Sequence, residues 1–144
     1  ADALTYAVKE EKATKLIDIA TLTGAAIVAL GEKVIATLSS DDDMFAQFDA
    51  ASKLASEKIW RLPLEKEYKK MLKSEVADLK NSPGRPAGTI TASLFLEEFT
   101  SGLPWVHLDI AGPSWTDKAS SLCPYGGTGA GVSLLYHFFK KSSY

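Results

Sequence analysis

The chain has 144 residues, 46% hydrophobic and 24% charged, which is the make-up of one ordinary globular domain with a real core. Its 16 basic and 18 acidic residues are scattered and leave a formal net charge of −2, which argues against an electrostatic nucleic-acid surface. The longest apolar run, Ala25 to Leu30, is too short to span a bilayer, no basic stretch leads into an apolar signal segment, and the single Cys123 excludes an internal disulfide and fits a reducing compartment.

Ala1, Leu4, Ala7 and Val8 have helical spacing, yet no capping residue precedes them. This is expected to be a helix entered midway, in a chain that is one part of a longer protein. Lys9 to Lys12 break the pattern. Leu16-Ile17-Asp18-Ile19-Ala20 reads as a strand, and Thr21-Leu22-Thr23-Gly24 as a turn with capping chemistry before a short helix over Ala25–Leu30. Gly31 stands where a helix wants a left-handed stop. Val34 to Leu38 reads as a second strand. Ser39, Ser40 and Asp41 are cap candidates for a helix over Asp42–Ser56, with carboxylates in its first turn and apolar Phe45, Phe48, Ala51, Leu54 and Ala55 at helical period.

Ile59 to Leu64 is expected to be extended, because a residue before proline avoids the helical region. Glu65 to Leu72 reads as a short charged helix, and 74–80 gives no clear signal. Asn81 to Gly88 holds two prolines and two glycines in eight residues and is a loop. Thr89 to Thr100 returns to helical spacing and ends at Ser101 and Gly102. Trp105 to Gly112 reads as a strand running into a turn. A glycine-rich loop follows, then a helix over Gly131–Lys140 with basic residues in its last turn. Strands alternating with helices predict an α/β domain in three layers, with helices on both faces of a mixed, mainly parallel sheet. Trp105 and Ile110 need partners from the first half, so 1–144 is expected to be one unit.

No complete catalytic constellation is visible. The run Gly126-Gly127-Thr128-Gly129-Ala130-Gly131 has Val132 where the dinucleotide fingerprint needs a third glycine, and no phosphate-loop lysine follows it. His107 and Asp109 share one face of a strand and could begin a metal site, but a third ligand is lacking, and a buried polar pair satisfied by hydrogen bonds fits better. Asp18 and Asp109 each sit in an apolar strand, tied by backbone donors or an arginine. Two strand-to-turn junctions remain, Asp18 to Gly24 and Leu108 to Gly112. Ligands of open α/β sheets sit outside the carboxyl ends of strands. Small residues there let a ligand approach, and Thr23 and Gly24 expose amides at a helix start. These residues predict a pocket floored by Thr21, Leu22, Gly24 and Ala111, although ordinary tight turns would give the same pattern.

At these residues the sequence resembles the leucyl aminopeptidase family of dinuclear metallopeptidases. The resemblance runs from Ala1-Asp2-Ala3-Leu4 through Ile17-Asp18-Ile19-Ala20-Thr21-Leu22-Thr23-Gly24-Ala25, Trp60-Arg61-Leu62-Pro63-Leu64 and Gly88-Thr89-Ile90-Thr91-Ala92 to Trp105-Val106-His107-Leu108-Asp109-Ile110-Ala111-Gly112-Pro113. It implies that 1–144 is the C-terminal portion of the peptidase catalytic domain. The family's Asn-Thr-Asp-Ala-Glu-Gly-Arg signature, with metal ligands and the active-site arginine, would stand just upstream of Ala1, so the chain is expected to hold no catalytic residue and no metal ligand, and to be inactive alone. Thr21, Gly24 and Ala111 match positions lining the pocket for the substrate's N-terminal side chain. The Leu22 backbone matches the position that hydrogen-bonds the peptide unit, and Arg85 matches a loop near the site. Ala130 and Ser114 depart from common family patterns and bear on the breadth of side-chain preference.

The resemblance implies an aminopeptidase in which two divalent ions, zinc or manganese, activate a bridging water, in a cytoplasmic homohexamer acting on peptides, with neither nucleic acid nor membrane as partner. The competing reading is a non-catalytic binding or assembly module that keeps the fold.

Overall fold

The computed structural model describes residues 1–121 and 123–142. Helix α1, Asp2–Lys9, is followed by strand β1, Leu16–Ala20, helix α2, Gly24–Leu30, and strand β2, Val34–Ser39. Helix α3, Asp42–Ala55, and strand β3, Lys58–Arg61, complete the first half. A 3₁₀ helix over Lys66–Leu72 precedes helix α4, Gly88–Glu97, strand β4, Trp105–Asp109, the two-residue strands β5, Trp115–Thr116, and β6, Gly126–Gly127, and helix α5, Val132–Ser142.

The sheet order is β1-β4-β2-β3. β1 runs parallel to β4 with Asp18 opposite His107, β2 runs parallel to β3, and β2 crosses antiparallel to β4 with Leu38 opposite His107. The sheet is thus mixed and mainly parallel, as expected. β4 is buried at all five positions, the mark of a strand covered on both faces.

Strand alternation sorts the layers. Val106 and Leu108 point to one face, where Ile35, Met44, Phe48, Ala51, Leu134 and Phe138 form the main core under α3 and α5. Phe48 and Phe138 stack there with centroids 4.2 Å apart. A side chain of that size contributes roughly 1.5–3 kcal/mol on burial. Trp105 points to the other face and joins Leu4 of α1 and Leu16 of β1 in a smaller cluster. His107 and Asp109 share that second face.

Local chemistry sets the boundaries. Thr23 caps α2 by accepting from the Ala26 amide at 3.1 Å, and Asp41 caps α3 by accepting from the Met44 amide at 2.6 Å. α2 stops at Gly31, where φ is +72°, and α3 stops at Ser56 in the left-handed region. The short charged helix expected over Glu65–Leu72 is a 3₁₀ helix over Lys66–Leu72. Three residues per turn stack Lys66, Lys69 and Leu72 in one row. Leu72 is buried, while Lys66 and Lys69 both reach Glu97 of α4. The helix expected to reach Thr100 ends at Glu97; Ser101 and Gly102, both at positive φ, turn the chain toward β4.

Candidate functional site

The carboxyl ends of β1 and β4 lie side by side, and Asp109, the last residue of β4, organises the turns that leave both strands. Its side chain is fully buried. Oδ1 accepts from the backbone amides of Leu22 at 3.1 Å, Thr23 at 3.4 Å and Ala111 at 3.1 Å. Oδ2 accepts from the Thr23 hydroxyl at 2.6 Å. One carboxylate therefore holds both turns that the sequence singles out, although β1 and β4 are far apart in the chain. It also compensates its burial with four donors, as a buried charge must.

The Thr23 hydroxyl has further partners. It accepts from the Ala26 amide and lies 2.9 Å from the Thr89 hydroxyl. Its single hydrogen goes to Asp109, so Thr89 is the donor in that pair. Thr89 is buried in the first turn of α4. The chain of bonds Thr89 to Thr23 to Asp109 thus ties α4, α2 and both strand ends at one point. Ala87 caps α4 in the left-handed region without a side-chain bond, and a Cβ on Gly88 would come within 2.9 Å of the Ala25 Cβ. The two helix starts touch because position 88 is a glycine.

Thr21, Leu22 and Gly24 are exposed at this junction, and Ala111 is half-buried. Leu22, Thr23 and Ala111 are brought together directly, since their amides converge on one oxygen. Thr21 and Gly24 flank them in the same turn. A Cβ on Gly24 would meet nothing within 4 Å, so space is open above it. By contrast, a Cβ on Gly112 would lie 2.2 Å from the Gly31 carbonyl oxygen, so the turn after Ala111 is pressed onto the end of α2. Away from this junction, among the described residues, an open cavity of about 510 Å³ sits along β3 beside Trp60. Thr21, Leu22, Gly24 and Ala111 form an open ledge. Arg85 is exposed in the loop before α4, with no hydrogen bond or ion pair among the described residues.

Further along the same face, His107 Nδ1 lies 2.6 Å from Asp18 Oδ1, and the Trp105 indole donates to Asp18 Oδ2 at 2.6 Å. His107 and Asp109 do not pair with each other; each has its own partners. The donors on Asp18 are an imidazole and an indole, not the backbone amides or arginine expected from sequence. His107 is fully buried, and its Nε2 has no hydrogen-bond partner among the described residues. Among the described residues no three His, Cys, Asp or Glu side chains gather in a way that would hold a metal ion. Nucleotide binding at 126–131 gains no support either, because Gly131 and Leu134 spend their amides on Glu57, at 2.7 and 2.6 Å.

Sequence reasoning missed Thr89; it expected Asp109 to be a carboxylate tied by backbone donors, as the Leu22, Thr23 and Ala111 amides show it to be, but not that those donors lie on the turn after β1. A carboxylate just before Ile-Ala-Gly, at the end of an otherwise apolar strand, was the available signal; the strand pairing that gives it a target was not legible.

The chain matches the sequence model of the cytosol aminopeptidase family, catalytic domain, over residues 1–136. The chain belongs to the cytosol aminopeptidase family. It is 53% identical over 140 residues to a probable cytosol aminopeptidase of Clostridium perfringens and 52% identical over 141 residues to one of Syntrophotalea carbinolica. These alignments take in 97% and 98% of the chain but 28% of either relative, so the chain spans well under a third of their length. Among solved structures, the bottromycin maturation enzyme BotP superposes with a TM-score of 0.93 at 41% identity, covering 99% of this chain and 32% of BotP. A mutant of tomato leucine aminopeptidase superposes with a TM-score of 0.90 at 40% identity, covering 97% of this chain and 27% of that one. BotP has also been solved with manganese. The aminopeptidase family depends on metal, and the described residues of this chain offer that metal no donor set.

Proposed function

We propose that this chain forms the substrate-holding wall of a metal-dependent aminopeptidase that removes leucine-like residues from the N-termini of peptides. The observation that carries the reading is the convergence of the Leu22, Thr23 and Ala111 amides on buried Asp109, which fixes the β1 and β4 turns as one rigid ledge at the carboxyl ends of parallel strands. Family membership supports the reaction class. On this reading Thr21, Gly24 and Ala111 face the N-terminal side chain of the substrate, with the space above Gly24 taking its branch. Burying a leucine side chain there contributes roughly 1.5–3 kcal/mol.

The Leu22 backbone orients the peptide unit. Its N–H is committed to Asp109, so its carbonyl is the group that accepts from the substrate amide. Thr23, whose hydroxyl and amide both serve Asp109, supports the wall from behind, and its place among the substrate-binding residues is indirect. Arg85 stands in the loop leading into α4, whose first turn bonds to Thr23. The metals, two divalent ions, would be held by residues of the catalytic domain outside this chain, and those residues would close the open ledge into a pocket. In this account the protein works in the cytoplasm as a homohexamer.

The test is hydrolysis of leucine anilide by the full-length protein, with zinc or manganese added or chelated. Metal-dependent cleavage of the free-amine substrate, with N-acetyl-leucine anilide left intact, is the expected result. No turnover with either metal would defeat the peptidase reading and favour the non-catalytic module.

A further inference from the structure

Asp109 and Thr89 match none of the positions so far given a part in binding, yet, beside the backbone bond from Ile110 to Ala20, the side-chain bonds that tie the two turns together run through them. We propose that Asp109 is a positioning residue for substrate selection and that Thr89 extends its hold to α4, so that the width of the side-chain pocket is set from behind the wall. This deepens the aminopeptidase reading and rests on it.

Three observations carry the inference. First, Asp109 is fully buried while the residues it holds are exposed or half-buried, so it shapes the ledge without facing a ligand on it. Second, its bonds go to the backbone of Leu22, Thr23 and Ala111, which sets the spacing between the two turns whatever their side chains are. That spacing is the width a substrate side chain would meet. Third, the hydroxyl chain is directional. Thr89 donates to Thr23, which donates to Asp109, so removing the first donor leaves the half-buried Thr23 hydroxyl oxygen one partner short and frees α4 to shift against α2. The contact between Gly88 and Ala25 places that shift beside the first turn of α2, where Gly24 stands.

A residue that fixes pocket width acts on the binding of one side chain more than on bond cleavage. Its loss should raise KM for a well-fitting substrate, lower kcat little and flatten the preference between side chains. A residue that only stabilises the fold would lower the amount of active protein, and all substrates would suffer equally.

The experiment compares Asp109→Asn, Thr89→Val and Thr89→Ser with wild type in the full-length protein, using leucine, alanine and phenylalanine anilides. Thr89→Val should raise KM for the leucine substrate about three- to tenfold, the effect of one lost buried hydrogen bond, with kcat within about twofold. Asp109→Asn should raise it about tenfold or more and shrink the leucine-to-alanine ratio of kcat/KM. Thr89→Ser keeps the hydroxyl and should restore the wild-type ratio. If Asp109→Asn does not fold, Thr89→Val against Thr89→Ser decides. Unchanged side-chain ratios, or a fall in kcat at constant KM, would overturn the positioning role while leaving the aminopeptidase reading intact. A wild-type protein that cleaves none of the three would remove the reading itself.

Discussion

Gly112 and Gly24 sit on the two turns of the proposed site, and adding one methyl group to each should have opposite consequences. At Gly112 the new Cβ would stand 2.2 Å from the Gly31 carbonyl oxygen, 3.2 Å from the Gly31 carbonyl carbon and 3.3 Å from the Glu32 Cα. All three are backbone atoms, so no side chain can swing aside, and Gly31 already sits at positive φ as the stop of α2. Overpacking costs about 1–3 kcal/mol, and a backbone obstacle this close places Gly112→Ala toward the upper end. At Gly24 nothing lies within 4 Å and no positive φ is required. Alanine there suits the first turn of α2 and should leave stability unchanged or raise it by a few tenths of a kcal/mol. The proposed pocket, however, loses the volume of a methyl group, which in an apolar site is worth roughly 1–3 kcal/mol of discrimination. Urea unfolding of the full-length protein reads the first effect: Gly112→Ala should unfold at a clearly lower urea concentration than wild type, with an unchanged slope. Steady-state kinetics read the second: Gly24→Ala should cut the leucine-to-alanine preference about tenfold. A Gly112→Ala protein as stable as wild type would refute the packing argument. A Gly24→Ala protein with unchanged preference would refute the pocket.

Glu57 places its carboxylate on the first amides of α5, so Glu57→Ala should cost about 1–2 kcal/mol, read by urea unfolding, and should raise hydrogen exchange at Gly131 and Leu134. Asp18→Ala removes the acceptor of both the Trp105 indole and the His107 imidazole, leaving two buried donors unpaired; a loss of about 2–4 kcal/mol is expected by the same assay, and a variant within about 0.5 kcal/mol of wild type would show the pair to be idle. Burial by itself would push the Glu97 carboxyl up, but the Lys66 and Lys69 ammonium groups outweigh it and hold it below the usual glutamate value. A lowered folded pKa gives stability that is present above the unfolded value and is lost as pH falls through the folded one. Lys66 is exposed and Lys69 half-exposed, so solvent screens both pairs: Glu97→Gln should cost about 1 kcal/mol or less at neutral pH, and the difference from wild type should vanish at acid pH.

The features legible in the sequence and those hidden from it divide along physical lines. Elements with local signals were readable: the Thr23 and Asp41 caps, the Gly31 stop, and the apolar period of α3 all rest on neighbours within four residues. The alternation of these elements was enough for a layered α/β fold. The antiparallel pairing of β2 with β4, which joins the two parallel pairs, is not readable, because strand order depends on contacts across the whole chain. The two-residue strands β5 and β6 are too short to show any period. Glu65–Leu72 is legible as helical but not as 3₁₀, since a segment of about two turns fits either period. The turn residues Thr21, Leu22, Gly24 and Ala111 stood out by their small size and their place after strands. Thr89, which helps to hold them, does not stand out, and Asp109 is legible as a buried carboxylate but not as the holder of a distant turn, because it looks the same whether it caps that turn or pairs with a histidine, as Asp18 does.

The most direct measurement is a crystal structure of the full-length protein with a leucine-derived phosphonate bound. The isobutyl group should lie against Thr21, Gly24 and Ala111, with the Leu22 carbonyl accepting from the inhibitor backbone. An inhibitor seated away from those residues, with the ledge open to solvent, would contradict the substrate-wall assignment.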